Sequence, residues 1–139
     1  MAIYSTWLIT ASALLLLVFG LIHLLYTWRG KKFYPRDAEL LEKMQQISPV
    51  ISRETTMWKA WLGFNASHSF GVILFGLVYA YLALAHGAFL FADPFMLVLG
   101  LALLIGYNFL AQLYWFSIPR RGIQISTALY VAALALSHI

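Results

Sequence analysis

Six residues of this chain carry polar or aromatic side chains that could bind a ligand inside otherwise apolar stretches of sequence. They are His23, Trp61, Asn65, His68, Asn108 and Gln112. Imidazole and amide groups that leave water need hydrogen-bond partners, so in apolar helices they either join helices to one another or form a site. Taken singly, each is as readily explained by helix-to-helix adhesion. Taken together, they predict a small polar pocket with Trp61 as part of its apolar wall.

The two imidazoles, His23 and His68, are the only members of this set that could ligate a haem iron or another metal. Measured along ideal helices from Trp28 for His23 and from Trp58 for His68, their predicted depths differ by about 7 Å, which does not favour a shared ligand. A metal or haem site is therefore possible but not favoured, and the cofactor stays open.

The sequence contains no complete set of catalytic residues. The chain has no cysteine, and no Asp or Glu lies within its apolar stretches. There is thus no thiolate nucleophile and no acid to orient an imidazole. These features favour a non-catalytic subunit or ligand-binding module of a larger membrane assembly. Two alternatives remain: a membrane oxidoreductase or metal/haem protein that uses both histidines, and a small carrier or binder of lipid or quinone.

Long apolar runs must position these residues, because 63% of the chain is hydrophobic and only 10% is charged. Such a composition excludes an ordinary soluble core. Four runs are near the length needed to cross a bilayer, at about residues 7–28, 58–85, 94–116 and 122–138. Backbone groups in hydrocarbon must be satisfied within their own segment, so these runs should be α-helices. The prediction is one all-α transmembrane domain, 1–139, built as a four-helix bundle.

Basic residues orient this predicted bundle. Of the nine Lys and Arg residues, six lie between the first and second runs, Lys59 lies at the very start of the second run, and Arg120 and Arg121 lie between the third and fourth. Positive charge marks the cytoplasmic side of membrane proteins, so both termini and the short turn at residues 85–94 are expected outside. The basic residues flank apolar spans, which argues for membrane lipid as a partner and against nucleic acid. Asp93 and Pro94 are a typical helix start for the third run.

The first cytoplasmic connection contains a further short helix, predicted at about residues 37–47. Leu40, Leu41, Met44 and Ile47 recur at helical spacing. An amphipathic helix beside a bilayer usually lies in the headgroup plane, although docking on a partner subunit would use the same face. The sequence does not separate lipid from protein as its partner.

Two segments of this chain resemble a known group of proteins. They are Gly-Leu-Ile-His at residues 20–23 and the stretch that begins at Ser48 and contains Trp61-x-Gly-Phe-Asn65. They resemble segments of a group of small uncharacterised bacterial membrane proteins with four spans. The resemblance implies the four-helix layout and a location in the bacterial inner membrane, and it implies nothing about chemistry.

Small residues suggest that this domain does not act alone. Glycines in apolar helices let neighbouring helices approach closely, so they offer packing surfaces for other membrane subunits or for a second copy of the chain. The glycines in question are Gly63, Gly71, Gly76, Gly100 and Gly106.

Overall fold

Six α-helices and no β-strand make up residues 2–137, which are the residues that the computed structural model describes. The predicted all-α class is therefore confirmed for this part of the chain. The helices are α1 (Ala2–Trp28), α2 (Ala38–Gln46), α3 (Met57–Ala85), α4 (Gly87–Ala92), α5 (Pro94–Tyr114) and α6 (Ser117–Ser137).

Three of these helices are long and apolar enough to cross a membrane. They are Ile3–Trp28 within α1, Met57–Ala85 and Pro94–Tyr114, with mean hydropathies of 2.5, 1.8 and 2.0. At a rise of about 1.5 Å per residue, even the shortest spans the hydrocarbon core of a bilayer. They correspond to the first three apolar runs of the sequence, and many of their large apolar side chains are exposed on the single chain.

Helix α6, which contains the fourth apolar run as far as Ser137, begins before that run does. Helix α6 starts at Ser117, so Arg120 and Arg121 lie within its first turns. The prediction that they lie in a connection between helices is wrong. Pro119 is tolerated there because the first amide groups of a helix have no intrahelical acceptor. The two arginines shorten the apolar part of α6, which is not among the three membrane-capable helices. The predicted end of this run, His138, lies outside the described residues.

The boundary between α4 and α5 is set by Asp93. Its side chain accepts hydrogen bonds from the backbone N–H groups of Phe95 (2.9 Å) and Met96 (3.4 Å), and Pro94 occupies the first turn. The predicted helix start is therefore confirmed. Residues 85–94, expected to be a simple turn, instead contain the six-residue helix α4, whose Leu90 is fully buried.

The predicted short helix in the first connection is confirmed as α2. Asp37 caps it by accepting from the Glu39 N–H at 2.9 Å, and Lys43 pairs with Glu39 at 2.6 Å one turn apart. No residue of α2 is buried. Leu41 and Met44 are half-buried, whereas Leu40 and Ile47 are exposed. Val50 and Ile51, which follow, are almost fully exposed.

By its internal contacts, the chain divides into two compact units. The first, the core unit, consists of the residues up to Phe19 and from Val72 onward, and the second, the histidine unit, is Gly20–Gly71. The core unit holds a continuous apolar core to which α1, α3, α4, α5 and α6 all contribute. Ser12 and Ser126 join α1 and α6 inside it through a buried hydroxyl pair at 2.8 Å.

Two glycines let helices of the core unit approach closely. A Cβ at Gly76 would lie 2.8 Å from the Ala13 carbonyl oxygen and 2.9 Å from the Leu17 Cα, so α1 and α3 meet there backbone to backbone. Gly100 faces the rings of Tyr79 and Tyr130. These two glycines, expected to offer surfaces for partners, are used within the chain.

Gly63 and Gly106 differ from these two, because a Cβ added at either position would have open space around it. Gly106 lies in an apolar depression on the outer face of α5, beside Leu103 and Leu110.

Candidate ligand-binding site

The histidine unit brings His23 of α1 and His68 of α3 into direct ring contact. Their ring centroids are 5.4 Å apart and their planes are inclined at 72°. The depth difference predicted from sequence therefore does not keep the two rings apart. Trp28 packs against Phe70, at 6.3 Å between centroids, while Trp58 packs against Tyr34. The two tryptophans from which the depths were measured thus contact different aromatic side chains of the unit.

Ser69 holds the His23 ring. The Ser69 hydroxyl lies 2.7 Å from His23 Nδ1 and donates its proton to the Asn65 carbonyl oxygen at 2.9 Å. Ser69 is fully buried and Asn65 is 9% exposed, whereas both imidazoles are only partly buried. The helical stripe that carries Asn65, His68 and Ser69 therefore faces His23, as its spacing predicts.

Phe33 covers one side of the site from the connection that follows α1. Its ring lies 4.8 Å from that of His23, and its carbonyl oxygen accepts the Trp61 indole N–H at 3.2 Å. The chain reverses towards the site just after α1 at Gly30, whose φ of +84° is strained for any residue with a side chain. Sequence reasoning missed Phe33, because a single aromatic residue in a basic loop carries no periodic signal.

The remaining predicted ligand-binding residues are found in both units. Trp61 is held by Phe33 and by the Asn65 amide, whose Nδ2 donates to the Trp61 carbonyl oxygen at 2.8 Å. Asn108 belongs to the core unit, where its Nδ2 donates to the Thr127 hydroxyl at 2.6 Å and joins α5 to α6. Gln112 is in the core unit too, and it is exposed. The structure thus brings together His23, Trp61, Asn65 and His68, while the contacts of Asn108 are those of a bond between helices.

The geometry of the two imidazoles limits the metals that they can hold. With metal–nitrogen bonds of about 2.0–2.1 Å, two imidazoles on one tetrahedral ion have centroids about 5 to 5.5 Å apart. On opposite sides of a haem iron the separation is roughly 6.4 Å. The observed 5.4 Å is therefore closer to the separation for a shared ion than to that for a haem. No group of three or more His, Cys, Asp or Glu residues that could hold a metal occurs among residues 2–137.

These features define a class: a small helical membrane protein with a polar, imidazole-containing cluster between two of its membrane-capable helices. No protein-family model matches the chain, and neither a curated protein nor a solved structure is similar to it at a significant level.

Proposed function

We propose that this chain is a non-catalytic membrane protein that binds a small amphipathic ligand at the His23–His68 pair, as a subunit or binding module of a larger membrane assembly. The observation that carries the proposal is the contact between two partly exposed imidazoles, of which His23 is held by a hydrogen bond to Ser69. One serine–histidine bond is enough to join two helices. A second imidazole beside the first, with both rings partly exposed, is the arrangement of a site that offers polar groups to a ligand.

The proposed arrangement in the membrane has four spans, with α6 crossing from Gly122 onward. The basic ends of the helices lie in the cytoplasm, both termini lie outside, and the membrane is the bacterial inner membrane. Helix α2 lies in the headgroup plane, and Val50 and Ile51 enter the edge of the acyl region. The surplus of basic over acidic residues in this connection supports that position, because it attracts anionic headgroups.

Single-cysteine labelling tests this arrangement directly, because the chain contains no cysteine of its own. In intact spheroplasts, a membrane-impermeant maleimide should react with Ala88→Cys and Ser137→Cys. It should react with Lys32→Cys and Ser117→Cys only after the membrane is permeabilised. Labelling of Ser137→Cys from the same side as Ser117→Cys would show that α6 does not cross.

Native mass spectrometry of gently purified protein tests the binding function. We expect an amphipathic ligand at about one per chain, with its occupancy lost in His68→Leu because a branched apolar side chain can form no hydrogen bond. Ser67→Ala is the matched control. Ser67 precedes His68 but is exposed, and its hydroxyl bonds back to the Phe64 carbonyl oxygen at 2.9 Å. Equal occupancy in wild type and His68→Leu, or no ligand in either, would refute the function.

The second candidate function is the binding of one transition-metal ion by both imidazoles, and the centroid separation of 5.4 Å favours it. Other ligands to the ion would come from water, a bound molecule or a partner subunit. Metal analysis of the same preparations distinguishes the two candidates. A stoichiometric metal that is lost in both His23→Gln and His68→Leu would establish metal binding. Metal-free protein that retains an organic ligand would eliminate metal binding.

A further inference from the structure

The Ser69 hydroxyl fixes which nitrogen of His23 carries the proton. A serine hydroxyl has one proton, and here it is donated to the Asn65 carbonyl oxygen, which can only accept. Ser69 Oγ must therefore accept the 2.7 Å hydrogen bond from His23, so Nδ1 is the protonated nitrogen. In a neutral imidazole the other nitrogen then carries a lone pair. His23 thus presents Nε2 as a hydrogen-bond acceptor.

Three donors around His23 are already engaged in hydrogen bonds within the chain. The Trp61 N–H is donated to the Phe33 carbonyl oxygen, and Asn65 Nδ2 is donated to the Trp61 carbonyl oxygen. The Thr27 hydroxyl, one turn after His23, donates to the carbonyl oxygen of His23 at 2.8 Å. Within the part of the chain that the structure describes, Asn65 Oδ1 accepts no hydrogen bond. Apart from the second N–H of the Asn65 amide, the groups left over on the His23 side are therefore acceptors.

We propose that the site recognises an uncharged amphipathic molecule through a hydroxyl group that donates to His23 Nε2, and that Ser69 sets this preference as a positioning residue. The inference rests on the proposed function and names the class of its ligand. The Phe33 and Trp61 rings offer an apolar wall to the alkyl part of the ligand. A carboxylate or phosphate has only lone pairs to present to Nε2, so anions are disfavoured.

Three matched probes test the preference on the full chain in nanodiscs: monooleoylglycerol, its dimethyl ether and oleate. Dibrominated forms of each would report binding by quenching tryptophan fluorescence. We expect the alcohol to bind about tenfold or more tightly than the ether or the anion, which is the effect of one good hydrogen bond.

Variants at Ser69 show whether this residue sets the tautomer of His23 or only stabilises the fold. In Ser69→Ala, His23 is free to change tautomer, so the alcohol-to-ether affinity ratio should fall towards one. Ser69→Thr keeps the hydroxyl and should retain the preference, while Ser67→Ala should leave the ratio unchanged. Nitrogen NMR of isotope-labelled histidine provides a direct readout. It should show His23 protonated at Nδ1 in wild type and Ser69→Thr, and a shift of the proton towards Nε2 in Ser69→Ala.

The outcomes distinguish this inference from the function on which it rests. Equal binding of all three probes, or a wild-type His23 protonated at Nε2, would overturn the hydroxyl preference and leave the binding function standing. Binding of oleate alone would do the same and would assign the site to anions. If no probe binds and the purified protein retains no organic ligand, the inference and the proposed function both fail.

Discussion

Replacing Gly76 by alanine should destabilise the protein strongly, although alanine is the better helix former. The new Cβ would lie 2.7 Å from the Leu17 Cβ, 2.8 Å from the Ala13 carbonyl oxygen and 2.9 Å from the Leu17 Cα. Two of these atoms belong to the backbone of α1, so no side-chain rotation relieves the overlap and the helices must separate. We expect a loss of about 1–3 kcal/mol or more, even after the gain of up to about 1 kcal/mol in helix propensity.

Gly106→Ala is the control for this prediction, because it makes the same chemical change in a helix where nothing lies within 4 Å of the new Cβ. It should be neutral or stabilising by up to about 1 kcal/mol. Both free energies of unfolding can be measured by titrating the purified protein from mild detergent into SDS while following helix content. A Gly76→Ala protein as stable as Gly106→Ala would show that α1 and α3 do not meet at Gly76.

Hydrophobicity was enough to predict the three membrane-capable helices, because each is long and uniformly apolar and needs no knowledge of its neighbours. Asp93 and Pro94 located the start of α5 equally well, since capping is a local interaction between side chain and backbone. The start of α6 was missed because Arg120 and Arg121 resemble a solvated connection. At the first turn of a helix, charged side chains reach solvent without ending the helix. Helix α4 was missed because six residues are too few for a periodic pattern.

The candidate site was partly predictable for a related reason. Asn65, His68 and Ser69 share one face of α3 by helical spacing alone, and that face does meet His23. The contact between the two histidines could not be predicted, because it depends on how far α1 is shifted along α3. Phe33 was missed for the same kind of reason: its position beside His23 depends on the course of the loop after Gly30. Both are long-range features that local spacing does not encode.

Gly100→Ala should be the second strongly destabilising substitution. Its new methyl group would collide with side chains, whereas that of Gly76→Ala would collide with backbone atoms. The Cβ added at Gly100 would overlap the Tyr130 hydroxyl and lie 2.7 Å from Tyr79 Cζ. Both tyrosine hydroxyls donate to carbonyl oxygens of α5, Tyr79 to Met96 at 2.6 Å and Tyr130 to Leu97 at 3.1 Å. Moving either ring away lengthens its hydrogen bond, and Tyr130 is fully buried, so no water can replace the lost partner. We expect a cost of about 1–3 kcal/mol from overpacking together with weakened hydrogen bonding.

Tyr130→Phe tests whether the hydroxyl is the cause. Alone, it should cost about 0.5–1.5 kcal/mol, because it removes one buried hydrogen bond. Combined with Gly100→Ala, it removes the atom that the new methyl group meets first, so the double variant should lose less stability than the two single losses added together. The same SDS titration measures all three variants. Strict additivity would mean that the methyl group does not meet the tyrosine, and that α5 is not held against this ring at Gly100. Non-additivity of about 0.5 kcal/mol or more would instead establish that the missing Cβ at Gly100 allows the Tyr130 hydroxyl to reach the backbone of α5.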